Sequence, residues 1–147
     1  MATDQSHESK LVIEGGVTLS GTIDVRGSKN AATPIVAATI LTDEPCTLHN
    51  IPQIEDVFVM LEILVSLGGE VTWLDDRSVK IENRSLDPEK LDFEKMRTIR
   101  SSILLLGALA ARCDDFVLPH PGGCVIGARP VGTHFEALRK LGVYIEK

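Results

Sequence analysis

Apolar and polar positions alternate from Val17 to Val25: Val17, Leu19, Gly21, Ile23 and Val25 are interleaved with Thr18, Ser20, Thr22 and Asp24. A period of two predicts a half-buried strand. Gly27-Ser28-Lys29-Asn30 breaks that pattern, and the small apolar run Ala31–Leu41 predicts a buried helix. Pro34 is tolerated only near a helix start, which puts the start close to Lys29 and Asn30. Cys46 opens a further short strand. Val57, Met60, Leu61 and Leu64 follow the i, i+3, i+4, i+7 spacing of an amphipathic helix, with Asp56 as N-cap and Gly68 as stop. Val71–Leu74 and Val79–Glu82 predict a hairpin around Asp75–Ser78. Leu86–Lys95 is polar and reads as a loop with one helical turn. Arg100–Arg112 is the most apolar predicted helix, and Phe116–Leu118 a short strand. Phe135, Leu138 and Leu141 mark another amphipathic helix, stopped by Gly142, and Val143–Ile145 begins a strand. The polar first ten residues read as a frayed tail.

The pattern recurs. Residues 46–52 are similar to 116–122 at an offset of 70, and Leu64, Leu67, Gly68 and Val71 match Leu138, Leu141, Gly142 and Ile145 at an offset of 74. The shift between the offsets places four inserted residues in the second copy, between Gly122 and Val131. Each unit runs apolar helix, strand, turn, amphipathic helix, strand, which predicts an α/β or α+β domain with pseudo-symmetry. An insertion without a scaffold counterpart is a natural place for function.

With 147 residues, the chain is long enough for one domain with a core. Its composition, 44% hydrophobic and 24% charged, is that of a globular domain. Fifteen basic against 21 acidic side chains give a net charge of −6, which argues against nucleic acid as a partner. The longest apolar run, Ile103–Ala111, has nine residues, too short to span a membrane. The polar start lacks the apolar core of a secretory signal, so the cytoplasm is the expected compartment. Three cysteines, Cys46, Cys113 and Cys124, are an odd number and form no disulfide framework. Neither they nor His49, His120 and His134 have metal-ligand spacing, so no metal or other cofactor is expected.

The inserted segment, Pro121-Gly122-Gly123-Cys124-Val125-Ile126-Gly127-Ala128-Arg129-Pro130, is rich in glycine between two prolines. Taken alone, Cys124 is a surface thiol. Its place in the insertion, with Arg129 five residues on, also suits a reactive thiolate, since a nearby cation lowers a thiol's pKa. Cys113 reads as packing and Cys46 as structural. Lys29, Arg100 and Arg129 each stand at a turn or helix start. Each is either a solvated or paired cation, or part of a site for phosphate or carboxylate, which helix starts and guanidinium forks favour.

Gly27-Ser28-Lys29-Asn30-Ala31-Ala32, Arg97-Thr98-Ile99-Arg100-Ser101-Ser102 and above all Pro121–Val131 resemble the UDP-N-acetylglucosamine 1-carboxyvinyltransferase (enolpyruvyl-UDP-GlcNAc synthase) branch of the EPSP synthase-like enzymes. The resemblance runs from about Leu11 to Lys147 and covers about the first third of a family member. It implies an inside-out α/β barrel built of repeated βαβαββ units, here one incomplete domain over 11–147. It implies transfer of the enolpyruvyl group of phosphoenolpyruvate to the 3′-hydroxyl of UDP-N-acetylglucosamine with release of phosphate, the first committed step of peptidoglycan synthesis and a fosfomycin target. Lys29, Asn30 and Arg129 would contact phosphoenolpyruvate, and Arg100, Arg129, Pro130, Val131, Gly132 and Thr133 the nucleotide sugar. Cys124 would be the catalytic proton donor. Gly132-Thr133 departs from the acidic residue and Leu usual there, which removes one carboxylate contact. The partners implied are the two substrates and the remaining C-terminal portion of the enzyme, without which catalysis is incomplete. The alternatives are a 3-phosphoshikimate 1-carboxyvinyltransferase, which lacks the Gly-Gly-Cys loop, and a non-catalytic nucleotide-sugar-binding module.

Overall fold

The regular elements begin at Lys29 in the computed structural model, which describes residues 11–122 and 130–146. Helix α1 (Lys29–Ala38) is followed by a 3₁₀ turn at Thr39–Leu41, strand β1 (Cys46–Leu48), helix α2 (Glu55–Ser66), and strands β2 (Glu70–Trp73) and β3 (Val79–Glu82). A second helical stretch holds a 3₁₀ turn at Pro88–Lys90, α3 (Phe93–Thr98), a 3₁₀ helix at Arg100–Leu104 and α4 (Leu105–Ala110). Helix α5 (Gly132–Lys140) comes last.

The three strands form an antiparallel sheet in the order β1-β3-β2. Cys46 and Leu48 pair with Ile81 and Val79, which also face Val71 and Trp73 across β2. Directly paired residues share a face, so these six side chains form one apolar surface, and Val79 and Ile81 at its centre are fully buried. Lys80 and Glu82 take the opposite face and pair with each other at 2.5 Å. Helix α2 covers the apolar face, and α1, α3 and the 3₁₀ helix at Arg100–Leu104 pack against α2. Val57, Met60, Leu61 and Leu64 are buried as their spacing predicts. Val59 and Ile63 are buried too, because α2 lies between the sheet and the other helices and so has two apolar sides.

The predicted hairpin is present, its turn closed by the Leu74 amide donating to the Ser78 carbonyl at 2.8 Å. The stop at Gly68 holds as well. Gly68 has φ of +102°, and its amide and that of Gly69 donate to the Val65 and Leu64 carbonyls, closing the last turn. Helix α1 starts at Lys29, as expected from Pro34, but Pro34 lies in the second turn, where the Asn30 carbonyl loses its i+4 donor.

Other expectations need correction. No strand forms over 17–25: among the described residues no segment pairs with it, and Val17, Leu19, Ile23 and Val25 are exposed. Alternation makes a strand only where a neighbour takes up its backbone groups. For the same reason 116–118 and 143–145 are not strands, although Phe116 and Leu118 pack against the core. Among the described residues, the second repeat thus keeps its helices and shows no strand pairing. The N-cap of α2 is Ile54, with Asp56 two residues inside, because the Asp56 carboxylate is taken by Lys29 instead of its own helix. Arg100–Arg112 is a 3₁₀ helix running into α4, not one α-helix; 86–95 has its expected helical turn at Pro88–Lys90, but its end is the start of α3. The expected tail over residues 1–10 lies outside the described residues.

Candidate functional site

Glycine 27 fixes how the chain enters α1. A Cβ there would collide with the Asn50 carbonyl oxygen, so only glycine lets residues 24–28 lie against the 50–52 turn. Asn50 itself has φ of +56° and its side-chain amide donates to the Val25 carbonyl at 3.4 Å. Two ion pairs, Arg26–Asp76 and Arg77–Asp24, each at 3.8 Å, tie the same segment to the hairpin turn. The hairpin turn is pinned in its own right: Ile51 donates to the Arg77 carbonyl and Gln53 to the Asp76 carbonyl, both at 2.8 Å. Arg26, Pro52, Gln53, Ile54 and Asp76 line an open cleft of about 290 Å³ beside the start of α2.

Lys29 and Asn30 follow, exposed in the first turn of α1. The Ser28 carbonyl accepts from the Ala31 and Ala32 amides and closes that turn, with no side-chain cap. The Lys29 ammonium donates to Asp56 at 3.0 Å. No acidic side chain stands in the first turn of α1, so its amide groups add to the positive field at Lys29.

Arg100 opens the 3₁₀ helix that packs against α1. The corner between α3 and that helix is stapled by Ser102, whose buried hydroxyl lies 2.8 Å from the Met96 carbonyl and 2.9 Å from that of Ile99. Helix α3 is fastened to α2 by Lys95, which pairs with Glu62 at 3.1 Å. Gly122, at the start of the glycine-rich segment, meets the same place: a Cβ on it would collide with the Arg97 carbonyl oxygen. The Arg97–Ser102 motif therefore touches the start of the glycine loop on one side and α1 on the other.

Of the predicted site residues, Lys29 and Asn30 share one turn and Arg100 lies on an element packed against theirs. Cys124 and Arg129 lie outside the described residues. Pro130 is exposed, Val131 is buried just before α5, and Gly132 and Thr133 form the first positions of that helix. Asp56, Ser102 and the Gly122–Arg97 contact are additions that sequence reasoning missed. The Lys29–Asp56 and Gly122–Arg97 contacts are made across a distance in the chain that no local pattern reveals, and the Ser102 bonds depend on the turn between α3 and the 3₁₀ helix. Cys113 packs against the core, and burial pushes its thiol up, in keeping with an unreactive residue.

The sequence family described as EPSP synthase (3-phosphoshikimate 1-carboxyvinyltransferase) matches residues 13–147. The chain belongs to the EPSP synthase family. Relatives named UDP-N-acetylglucosamine 1-carboxyvinyltransferase include those of Thermotoga petrophila, 44% identical, and Treponema denticola, 46% identical, each over 137 residues. Both alignments cover 93% of this chain and 32% of the relative, so the chain spans about a third of the length of the proteins it matches. Among solved structures, the enolpyruvyl transferase NikO from Streptomyces tendae matches with a TM-score of 0.59 at 28% identity, over 67% of this chain and 23% of that one. The fold is thus EPSP synthase-like, here as an incomplete mixed helix-and-sheet domain, and the resemblance to this family stands.

Proposed function

We propose that this chain is part of an enzyme that transfers the enolpyruvyl group of phosphoenolpyruvate to the 3′-hydroxyl of UDP-N-acetylglucosamine, acting in the cytoplasm at the start of peptidoglycan synthesis. The observation that carries this reading is the Pro121–Val131 loop with its central cysteine, in a chain 42–46% identical to relatives of that name. Phosphoenolpyruvate carries a carboxylate and a phosphate, so its site must concentrate positive charge. Lys29 and Asn30 at the start of α1, together with Arg129, take those groups in this reading. Arg100 and the 129–133 segment take the nucleotide sugar.

The reaction balances as an addition followed by an elimination. The Cys124 thiol gives its proton to C3 of phosphoenolpyruvate, C2 becomes oxocarbenium-like, and the sugar hydroxyl forms the new C2–O bond as it loses its proton. The C2–O bond to phosphate then breaks, and a proton leaves C3 to restore the double bond. The Cys124 thiolate left by the first step takes back a proton from C3, and the base for the hydroxyl proton, with a further arginine, comes by the family resemblance from the portion of the relatives that this chain does not span. A glycine-rich loop between two prolines can close over the substrates and exclude water.

Phosphate release tests the reading. The chain alone should release none from phosphoenolpyruvate and UDP-N-acetylglucosamine. Adding the remaining portion of the Treponema denticola relative should give release, and Cys124→Ala should abolish it. Release that requires shikimate 3-phosphate as acceptor instead would overturn the assignment of the sugar substrate. Nucleotide-sugar binding by the complemented protein with no turnover would favour a binding module.

A further inference from the structure

Lys29 and Asp56 are the first and second residues of two different helices, and their contact at 3.0 Å joins the amino ends of α1 and α2. The two residues depend on it unequally. A carboxylate in the first turn of a helix is favoured by the free amides there, so Asp56 is at ease with or without a cation. An ammonium at the first position of a helix faces the same positive field and is disfavoured. Asp56 therefore sets where Lys29 points. Arg26 in the adjoining segment is engaged by Asp76, and Asp24 by Arg77. On α2, Glu55 is the other acid of the first turn. Both partners are open to solvent, Lys29 at 48% and Asp56 at 32%, and a single half-exposed pair of this kind exchanges readily.

We propose that Asp56 is a positioning residue for Lys29: it holds the ammonium at the meeting of the two helix starts and yields it to the anionic groups of phosphoenolpyruvate when these arrive. This rests on the reading of Lys29 as a phosphoenolpyruvate contact. Once Lys29 turns to the ligand, Asp56 keeps its charge on the amides of α2. The ligand must displace a carboxylate to gain the ammonium, so Asp56 trades affinity for orientation.

The test follows the Lys29 side-chain ammonium by NMR in the 147-residue chain, assigned by its loss in Lys29→Gln. Asp56→Asn shifts the Lys29 signal before any ligand is added. Phosphoenolpyruvate then half-saturates that signal at a concentration about two- to fivefold lower than in the native chain. Asp56→Glu restores both values, which a merely structural role would not do. If Asp56→Asn does not fold, Asp56→Ser, which keeps an oxygen acceptor at the helix start, is judged by the same two signals. An unmoved Lys29 signal, or half-saturation at an equal or higher concentration, overturns the proposal and leaves Lys29 as a ligand contact. A Lys29 signal that responds to phosphoenolpyruvate in neither protein overturns that contact, and the proposal with it.

Discussion

Gly122 rests on Arg97: the backbone at the start of the glycine loop lies so close to the Arg97 carbonyl that no side chain fits between them. The contact joins two motifs separated by a whole helical stretch. It makes the last turn of α3 the floor from which the loop departs.

Replacing Gly122 by alanine forces that floor or the loop to move. Overpacking of a close contact costs about 1–3 kcal/mol, and the stability of Gly122→Ala in urea should fall by that amount. Gly132→Ala is the control. Nothing lies within 4 Å of a Cβ there, and the residue is the first of α5. Alanine in place of glycine at an unstrained helical position should be neutral or stabilising by up to about 1 kcal/mol. Equal losses in the two variants would mean that the Gly122 contact is absent in solution.

Ser102 and Ser101 are adjacent and both have buried hydroxyls, yet they should respond oppositely to alanine. The Ser102 hydroxyl holds the Met96 and Ile99 carbonyls, whereas that of Ser101 has no hydrogen-bond partner among the described residues. Losing the Ser102 bond should cost about 1–2 kcal/mol and speed amide exchange over 96–102. Ser101→Ala removes an unsatisfied polar atom and should be neutral or stabilising. Because Arg100 sits on the same corner, Ser102→Ala should also weaken UDP-N-acetylglucosamine binding in the complemented enzyme, measured by calorimetry.

Acid should destabilise the fold through a small set of carboxylates. The Lys95 amide, with the Lys95 ammonium beside it, holds the Asp92 carboxyl below the usual range; the Lys90 side chain does the same for Asp87, and Lys80 for Glu82. A carboxyl lowered in the folded state contributes stability that is fully present above its unfolded pKa, near about 4, and is lost as pH falls through the folded value. The midpoint of urea unfolding should therefore be flat from about pH 7 to pH 5 and drop below about pH 4. Asp92→Asn keeps an acceptor for the Lys95 amide but not the charge, and should lose less than the native chain over that range. An identical acid slope would remove Asp92 from the set.

The legible parts of this fold are those whose partners lie close in sequence or whose pattern is buried within the chain. The α2 stripe and the β2–β3 hairpin with its polar turn were readable because their apolar positions meet each other. Val17–Val25 has an equally clear alternation and forms no strand, because alternation states which face is apolar and not whether a neighbouring backbone exists. The same distinction runs through the site. Lys29, Asn30 and Arg100 stood out by motif. Asp56 was read as a cap of its own helix because its partner lies 27 residues away, and Ser102 and Gly122 carry no signal without the corner they close.

The three thiols should differ in reactivity, and the order bears directly on the proposed chemistry. Thiolate is the nucleophile, so a thiol raised by burial reacts slowly. Cys113 is such a thiol, packed against the core beside α4. The Cys46 Sγ lies 3.7 Å from the Glu44 carbonyl oxygen, to which it donates, at the start of a strand. Cys124 stands in a glycine-rich segment five residues from Arg129 in sequence, and in the proposed site that cation would favour the thiolate. An epoxide-phosphonate such as fosfomycin carries both an electrophilic ring and an anionic group for the Lys29 region. In the enzyme complemented with the remaining portion of a relative, it should alkylate Cys124 and spare Cys46 and Cys113, as read by mass spectrometry of the labelled peptides. Phosphoenolpyruvate should slow the labelling by competing for the same cations, and Lys29→Gln should slow it further. Labelling spread evenly over the three cysteines, or unchanged in Lys29→Gln, would separate the thiol from the anion site and leave the proposed proton transfer without its donor.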